Sequence, residues 1–112
     1  MTPRLASSVL VGALVRRAES EGGFAAVLAK GYPTSGAVGV ILAEKGRKAC
    51  FLERLLQADG RYAWQAARQD VENEREFNAF LERRRKIDPD IWILELDIAS
   101  AERFAAEMNA VG

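Results

Sequence analysis

The sequence contains no histidine. The commonest general base, the commonest metal ligand and the usual pH switch are therefore missing. Neither a Ser-His-Asp nor a Cys-His arrangement can form within one chain. Cysteine is nearly absent as well. Cys50 stands alone, so no intrachain disulfide and no Cys cluster for zinc is available. Flanked by Ala49, Phe51 and Leu52, it reads as buried filler. Charge of one sign is also lacking: 16 Lys and Arg balance 16 Asp and Glu. No overall field steers the chain toward nucleic acid or an anionic membrane, and such binding would need a local patch. Any catalysis must run on Asp, Glu, Lys, Arg or Tyr. No cofactor motif stands out, none is expected, and an enzyme is disfavoured.

Long apolar runs are missing too. Leu5 to Val15 is too short to span a bilayer. Arg16-Arg17 follow it directly, with no small-residue cleavage site next. The expectation is a cytoplasmic protein rather than a membrane or processed one. The 112 residues suit one globular domain, 1–112. No repeat or low-complexity linker divides it.

What is present alternates between helical and strand patterns. Thr2-Pro3 is a helix start, with Thr as N-cap and Pro at the first helical position. Leu10, Val11, Leu14, Val15 and Ala18 then form one apolar stripe, and Gly22-Gly23 ends it. Phe24 to Ala29 is a short apolar strand, followed by a Gly/Pro loop from Gly31 to Gly36. Ala37 to Ala43 is rich in β-branched residues. Glu44 to Arg47 is a hairpin turn, Lys48 to Leu56 a strand, and Asp59-Gly60 a second hairpin signal. Tyr62 to Arg68 alternates, with Tyr62, Trp64 and Ala66 on one face. Together these runs suggest a four-strand antiparallel meander.

Asn73 with Glu76 fits a capping-box variant. The helix that follows carries Phe77, Phe80, Leu81, Arg84 and Ile87 near one face. Asp88-Pro89 stops it, because a residue before proline is pushed out of the α region. Ile91 to Ile98 is an almost unbroken apolar strand, and Ser100 caps a last helix with Ala101, Phe104, Ala105 and Met108 inward. The fold class is α+β: three helices and a mostly antiparallel sheet of about five strands. The order is helix-strand-strand-strand-strand-helix-strand-helix, with the helices expected on one face.

Candidate sites concentrate between Glu82 and Leu96. Arg84 lies on an apolar stripe, so its guanidinium needs a carboxylate partner from Asp88, Glu95 or Glu53. An Arg–carboxylate pair at a pocket mouth can grip an anion bidentately, which makes Arg84, Arg85, Glu53, Asp88 and Glu95 candidate ligand residues. The competing view is that Arg84 snorkels at the end of the stripe and pairs with Asp88, four residues on. Arg83 to Lys86 can equally be cations matched to the helix dipole. An RNA patch would need Trp64, Tyr62, Phe51 and Trp92 as stacking rings, and no RNP-like motif supports it. Gly31 to Gly36 lacks the Walker spacing for a phosphate loop. Asp88 and Asp90 flank a proline as a turn would, and the further ligands of a Ca2+ loop are missing.

The segments Arg16-Arg17, Gly22-Gly23-Phe24-Ala25, Gly36-Ala37-Val38, Leu52-Glu53-Arg54 and Asp88-Pro89-Asp90-Ile91-Trp92-Ile93-Leu94-Glu95 occur in a recognisable order and spacing. Together the set resembles a bacterial, mainly alphaproteobacterial family, domain-of-unknown-function family 1491. The resemblance carries no activity, cofactor or catalytic residue and implies a small stand-alone intracellular domain. The leading expectation is a non-enzymatic interaction domain, pairing with itself as a homodimer or with another protein. Trp64 and Trp92 are the candidate interface residues if exposed. A small anion- or nucleotide-binding pocket is the alternative, and an RNA-binding module the second alternative. Membrane association is not expected, and nucleic acid is disfavoured.

Overall fold

The structure, a computed structural model, describes residues 5–67 and 71–110. The expected element order is present: α1 Ser7–Ser20, β1 Phe24–Ala29, β2 Val38–Glu44, β3 Arg47–Leu56, β4 Tyr62–Ala66, α2 Glu74–Ile87, β5 Trp92–Asp97 and α3 Ala101–Ala110. The fold is α+β. Among the described residues, no helix is long and apolar enough to cross a membrane.

The strand order is β1-β5-β2-β3-β4. Only β2, β3 and β4 form a meander. β5 enters between β1 and β2, antiparallel to the first and parallel to the second. The four-strand meander is therefore corrected, and the reason is burial. Trp92, Ile93, Leu94 and Leu96 are all buried, and a strand apolar on both faces belongs in the middle of a sheet. The connection from β1 to β2 spans residues 30–37, too long for a tight hairpin, and it leaves the central slot open.

The helices also do not share one face. Val11, Leu14 and Ala18 of α1 join Ala101, Phe104 and Met108 of α3 over Val40, Leu42, Leu52, Trp64, Leu94 and Leu96. α2 covers the opposite face, with Phe77, Phe80 and Leu81 over Ile41, Phe51 and Ile93. A sheet whose central strands are apolar on both faces needs cover on both. Phe51, Phe77 and Phe80 form an aromatic cluster. Phe51 meets Phe77 edge-on at 5.8 Å and Phe80 at 5.6 Å between centroids, a favoured geometry for aromatic pairs.

Local signals explain most boundaries. Lys45 and Gly46 both take positive φ, 50° and 82°, as a two-residue hairpin loop of the primed type requires. Asp97 accepts hydrogen bonds from both of their amides, at 2.9 and 2.7 Å. The Asn73 side chain accepts from Glu76 N at 3.1 Å, the expected cap of α2. Ser100 Oγ accepts from Arg103 N, and Glu44 satisfies the Ala101 amide, so α3 is capped twice. The Thr2-Pro3 start lies outside the described residues. α1 begins at Ser7 with Ala6 as N-cap and no side-chain cap. The 31–36 loop supplies what a cap would: Thr34 O accepts from Ser7 N and Pro33 O from Ser8 N.

Candidate functional site

Of the five candidate ligand residues, the structure brings two together. Arg84 Nε donates to Glu53 Oε1 at 2.7 Å, with the side chains 24% and 19% exposed. The pair ties the last turns of α2 to β3. Its position follows from the sequence: Arg84 continues the Phe77, Phe80, Leu81 stripe, which aims it at the sheet. Ile87, at the end of the same stripe, projects past the sheet and is exposed. Arg83, Arg85 and Lys86 point to solvent at the helix C-terminus, where the dipole favours cations.

Asp88 does not join this pair. Its amide closes α2 onto Arg84 O, and its Oδ1 accepts from Asp90 N at 3.1 Å. This is the local turn that Asp favours after a helix. Glu95 lies on the α2 side of β5, beside Ala26 and Ile41. Among the described residues no ion pair links it to Arg84 or Arg85. An open Arg–carboxylate cleft is therefore not formed. What exists is a half-buried clasp.

Trp64 and Trp92 are buried, so neither indole is offered to a partner. Both side chains point into the α1/α3 side of the core. Trp92 Nε1 donates to Tyr32 O at 2.9 Å. Phe51 is buried beneath α2 as well, so three of the four rings that an RNA-stacking sheet would use are enclosed, and Tyr62 is half-buried.

The turn at 88–91 and the loop at 31–36 interlock. Tyr32 N donates to Asp90 O, and Trp92 N donates to Ala37 O. A Cβ at Gly31 or Gly36 would collide with the Asp90 carbonyl, which is why both positions hold glycine. Beside this junction is a cavity of about 300 Å3 whose polar wall includes Ser7, Arg54, Tyr62, Asp88 and Asp90. The Arg54 guanidinium lies 4.6 Å from the Tyr62 ring centroid. Ser7 Oγ donates to Gly36 O at 2.6 Å, so that hydroxyl serves the fold. The wall offers charges of both signs and no activated nucleophile.

Cys50 is half-buried against the α1/α3 core. Burial, and secondarily the negative charge of Glu44, pushes its thiol pKa up. The thiol stays protonated near neutral pH and is poorly nucleophilic. Among the described residues, no three His, Cys, Asp or Glu side chains converge as a metal site would need.

The two edges of the sheet are finished differently. At β4, Asn109 of α3 donates from Nδ2 to Trp64 O and accepts at Oδ1 from Trp64 N, at 3.2 and 2.8 Å. Its amide takes the place of a neighbouring strand. At β1 nothing covers the outer edge among the described residues. The strand reads Phe-Ala-Ala-Val-Leu-Ala, without a charge, and Phe24 is 77% exposed while Val27 and Leu28 are each 49% exposed. A bulge shifts its register against β5 between Val27 and Ala29. Phe24 faces the α2 side, as its partner Asp97 on β5 does. Exposed apolar edge strands are sites of strand addition. The candidate residues drawn from sequence omitted this edge. Its available signal was an uncharged strand next to a glycine pair, in a chain otherwise rich in charge.

Comparison with known proteins places the fold. A family model described as "Protein of unknown function (DUF1491)" matches residues 5–106. No curated protein matches. A crystal structure of a DUF1491 family protein from Caulobacter crescentus CB15 is 33% identical with a TM-score of 0.80, covering 90% of this chain and 94% of that one. An NMR structure of a DUF1491 family protein from the same organism is 34% identical with a TM-score of 0.77, covering 93% and 94%. The solution structure of protein Atu0922 from A. tumefaciens is 31% identical with a TM-score of 0.75, covering 92% and 93%. The chain belongs to the DUF1491 family of proteins of unknown function.

Proposed function

We propose that this chain is a cytoplasmic, non-enzymatic interaction domain that associates with a second copy of itself through the outer edge of β1. The observation that carries this reading is the contrast between the edges. Asn109 caps the middle of β4 at Trp64, whereas β1 presents an uncharged strand with Phe24, Val27 and Leu28 exposed. Proteins that do not use an edge usually blunt it with charge, proline or a covering element. The β1 bulge is one such device, yet it leaves Phe24–Val27 in regular register. An antiparallel copy of the strand is self-complementary about a two-fold axis, the commonest symmetry of soluble oligomers.

The anion pocket is the weaker reading, because Arg84 Nε is already engaged by Glu53 in a half-buried pair that Asp88 and Glu95 do not join. RNA binding is disfavoured because Trp64, Trp92 and Phe51, three of the four rings it would stack on, are buried. Sedimentation equilibrium over a concentration series tests the proposal. The wild-type protein should show a reversible monomer–dimer equilibrium. Val27→Lys, a charge placed on the edge, should leave only monomer with an unchanged Tm. A wild-type protein that stays monomeric at the highest concentration removes this reading.

A further inference from the structure

The outer edge of β4 is interrupted at its centre. Trp64 N donates to Asn109 Oδ1 at 2.8 Å, and Trp64 O accepts from Asn109 Nδ2 at 3.2 Å. A primary amide does both at once, because its acceptor and donor lie side by side as they do along a strand. The blocked position is the one that matters. β4 has five residues, Tyr62–Ala66, antiparallel to β3. Ala67 N donates to Phe51 O, so the odd positions turn toward β3 and 62, 64 and 66 turn outward. An added strand would ladder onto those three in succession. With 64 occupied, 62 and 66 stand about 13 Å apart across a gap, and the ladder cannot continue.

Two further observations single out this contact. The strand itself, Tyr-Ala-Trp-Gln-Ala, has no charge, no proline and no register shift against β3. Those are the usual defences of an edge, so the defence of β4 comes from α3. The residue in α3 is also not a choice for the helix, since alanine is the better helix former there. Asn109 is exposed, yet its place is set by the core. Phe104 and Met108 are buried, and Glu44 holds the Ala101 amide at the helix start. These anchors fix the phase of α3 and bring position 109 to the sheet rim.

The strand order puts β1 and β4 at opposite ends of one sheet, and the state of each edge sets how many copies can join. A chain with one open edge has used it once it is paired, and assembly ends at two. A chain with two open edges leaves one at each end of every assembly, so strands add without limit. We infer that the Asn109 side chain is an assembly stop: by occupying the Trp64 backbone it leaves β1 as the single pairing edge and confines association to the dimer. This role rests on the β1 pairing proposed above and adds the device that limits it.

Sedimentation equilibrium of four proteins over one concentration series tests the stop. The wild type should reach the dimer and no further. Asn109→Ala should pass twice the monomer mass, with an average mass that rises with concentration and falls on dilution. Asn109→Ala combined with Val27→Lys is open only at β4 and should not pass the dimer. Gly39→Ala presses on the buried Phe51 ring in the middle of the sheet, away from both edges. It should assemble as the wild type does, which separates loss of the stop from loss of stability. A wild-type dimer whose Asn109→Ala variant also ends at the dimer overturns the stop and leaves β1 pairing intact. Growth of Gly39→Ala past the dimer, or of the double variant, overturns it as well. A wild-type monomer overturns both the stop and the pairing.

Discussion

Gly39 offers a sharp test of how the α2 face is packed. It sits within β2 facing α2, diagonal to Phe51 on β3. A Cβ added there would lie 2.5 Å from Phe51 Cζ and 2.9 Å from its Cε1. The ring would have to retreat by about 1 Å to regain ordinary contact. It cannot do so freely, because it is buried with Phe77 and Phe80 edge-on against it. Overpacking of this kind costs about 1–3 kcal/mol. Replacing glycine in a strand returns at most about 1 kcal/mol through the unfolded state. Gly39→Ala should therefore lose about 1–2 kcal/mol, or about 5–10 °C in Tm for a domain of this size. In a Phe51→Leu background the ring is gone, and the same change should be neutral or stabilising by up to about 1 kcal/mol. Urea denaturation of the four proteins would then give a coupling of about 2 kcal/mol. Additivity within about 0.5 kcal/mol would refute the packing argument.

Three further predictions address the clasp, the closed edge and the thiol. Arg84→Met should cost about 1.5–3 kcal/mol in urea denaturation, since it leaves Glu53 half-buried without its charge-assisted partner; adding Glu53→Leu should recover part of that loss. Asn109→Ala should speed hydrogen exchange at the Trp64 amide and cost about 1–3 kcal/mol, because it deletes both bonds that close the β4 edge. Cys50 should make stability fall at alkaline pH. Its folded-state pKa lies above the ordinary thiol value of 9.0. Below that value both states hold the proton and stability is intact; above it the unfolded chain ionises first, so stability drops as pH rises toward the folded value. Cys50→Ala should remove this part of the alkaline decline, as read from Tm against pH.

Local chemistry made the elements legible and left their arrangement open. Asn73 as a cap, Lys45-Gly46 as a turn and Asp88-Pro89 as a stop each act within a few residues, so sequence alone locates them. The insertion of β5 between β1 and β2 is a long-range outcome, yet it had a trace: Ile91 to Ile98 is too apolar for a half-exposed strand. Placement of helices on both faces follows from the same fact. The partner of Arg84 was one of three carboxylates until β3 took its place beside α2, a choice set by topology and not by spacing. Trp64 and Trp92 are the kind of residue that makes interface hot spots, and only their burial against α1 and α3 shows that they are core. The β1 edge was overlooked because strand addition depends on which strand ends up outermost, and that is decided by β5.

The central claim is that β1 is an open edge that pairs with its own copy. Amide hydrogen exchange of β1, measured well above and well below the association midpoint, tests it most directly. Outward-facing amides within Phe24–Val27 should be protected at high concentration and released on dilution, while the Trp64 amide, held by Asn109, exchanges equally at both. Exchange along β1 that is fast and independent of concentration would contradict the claim.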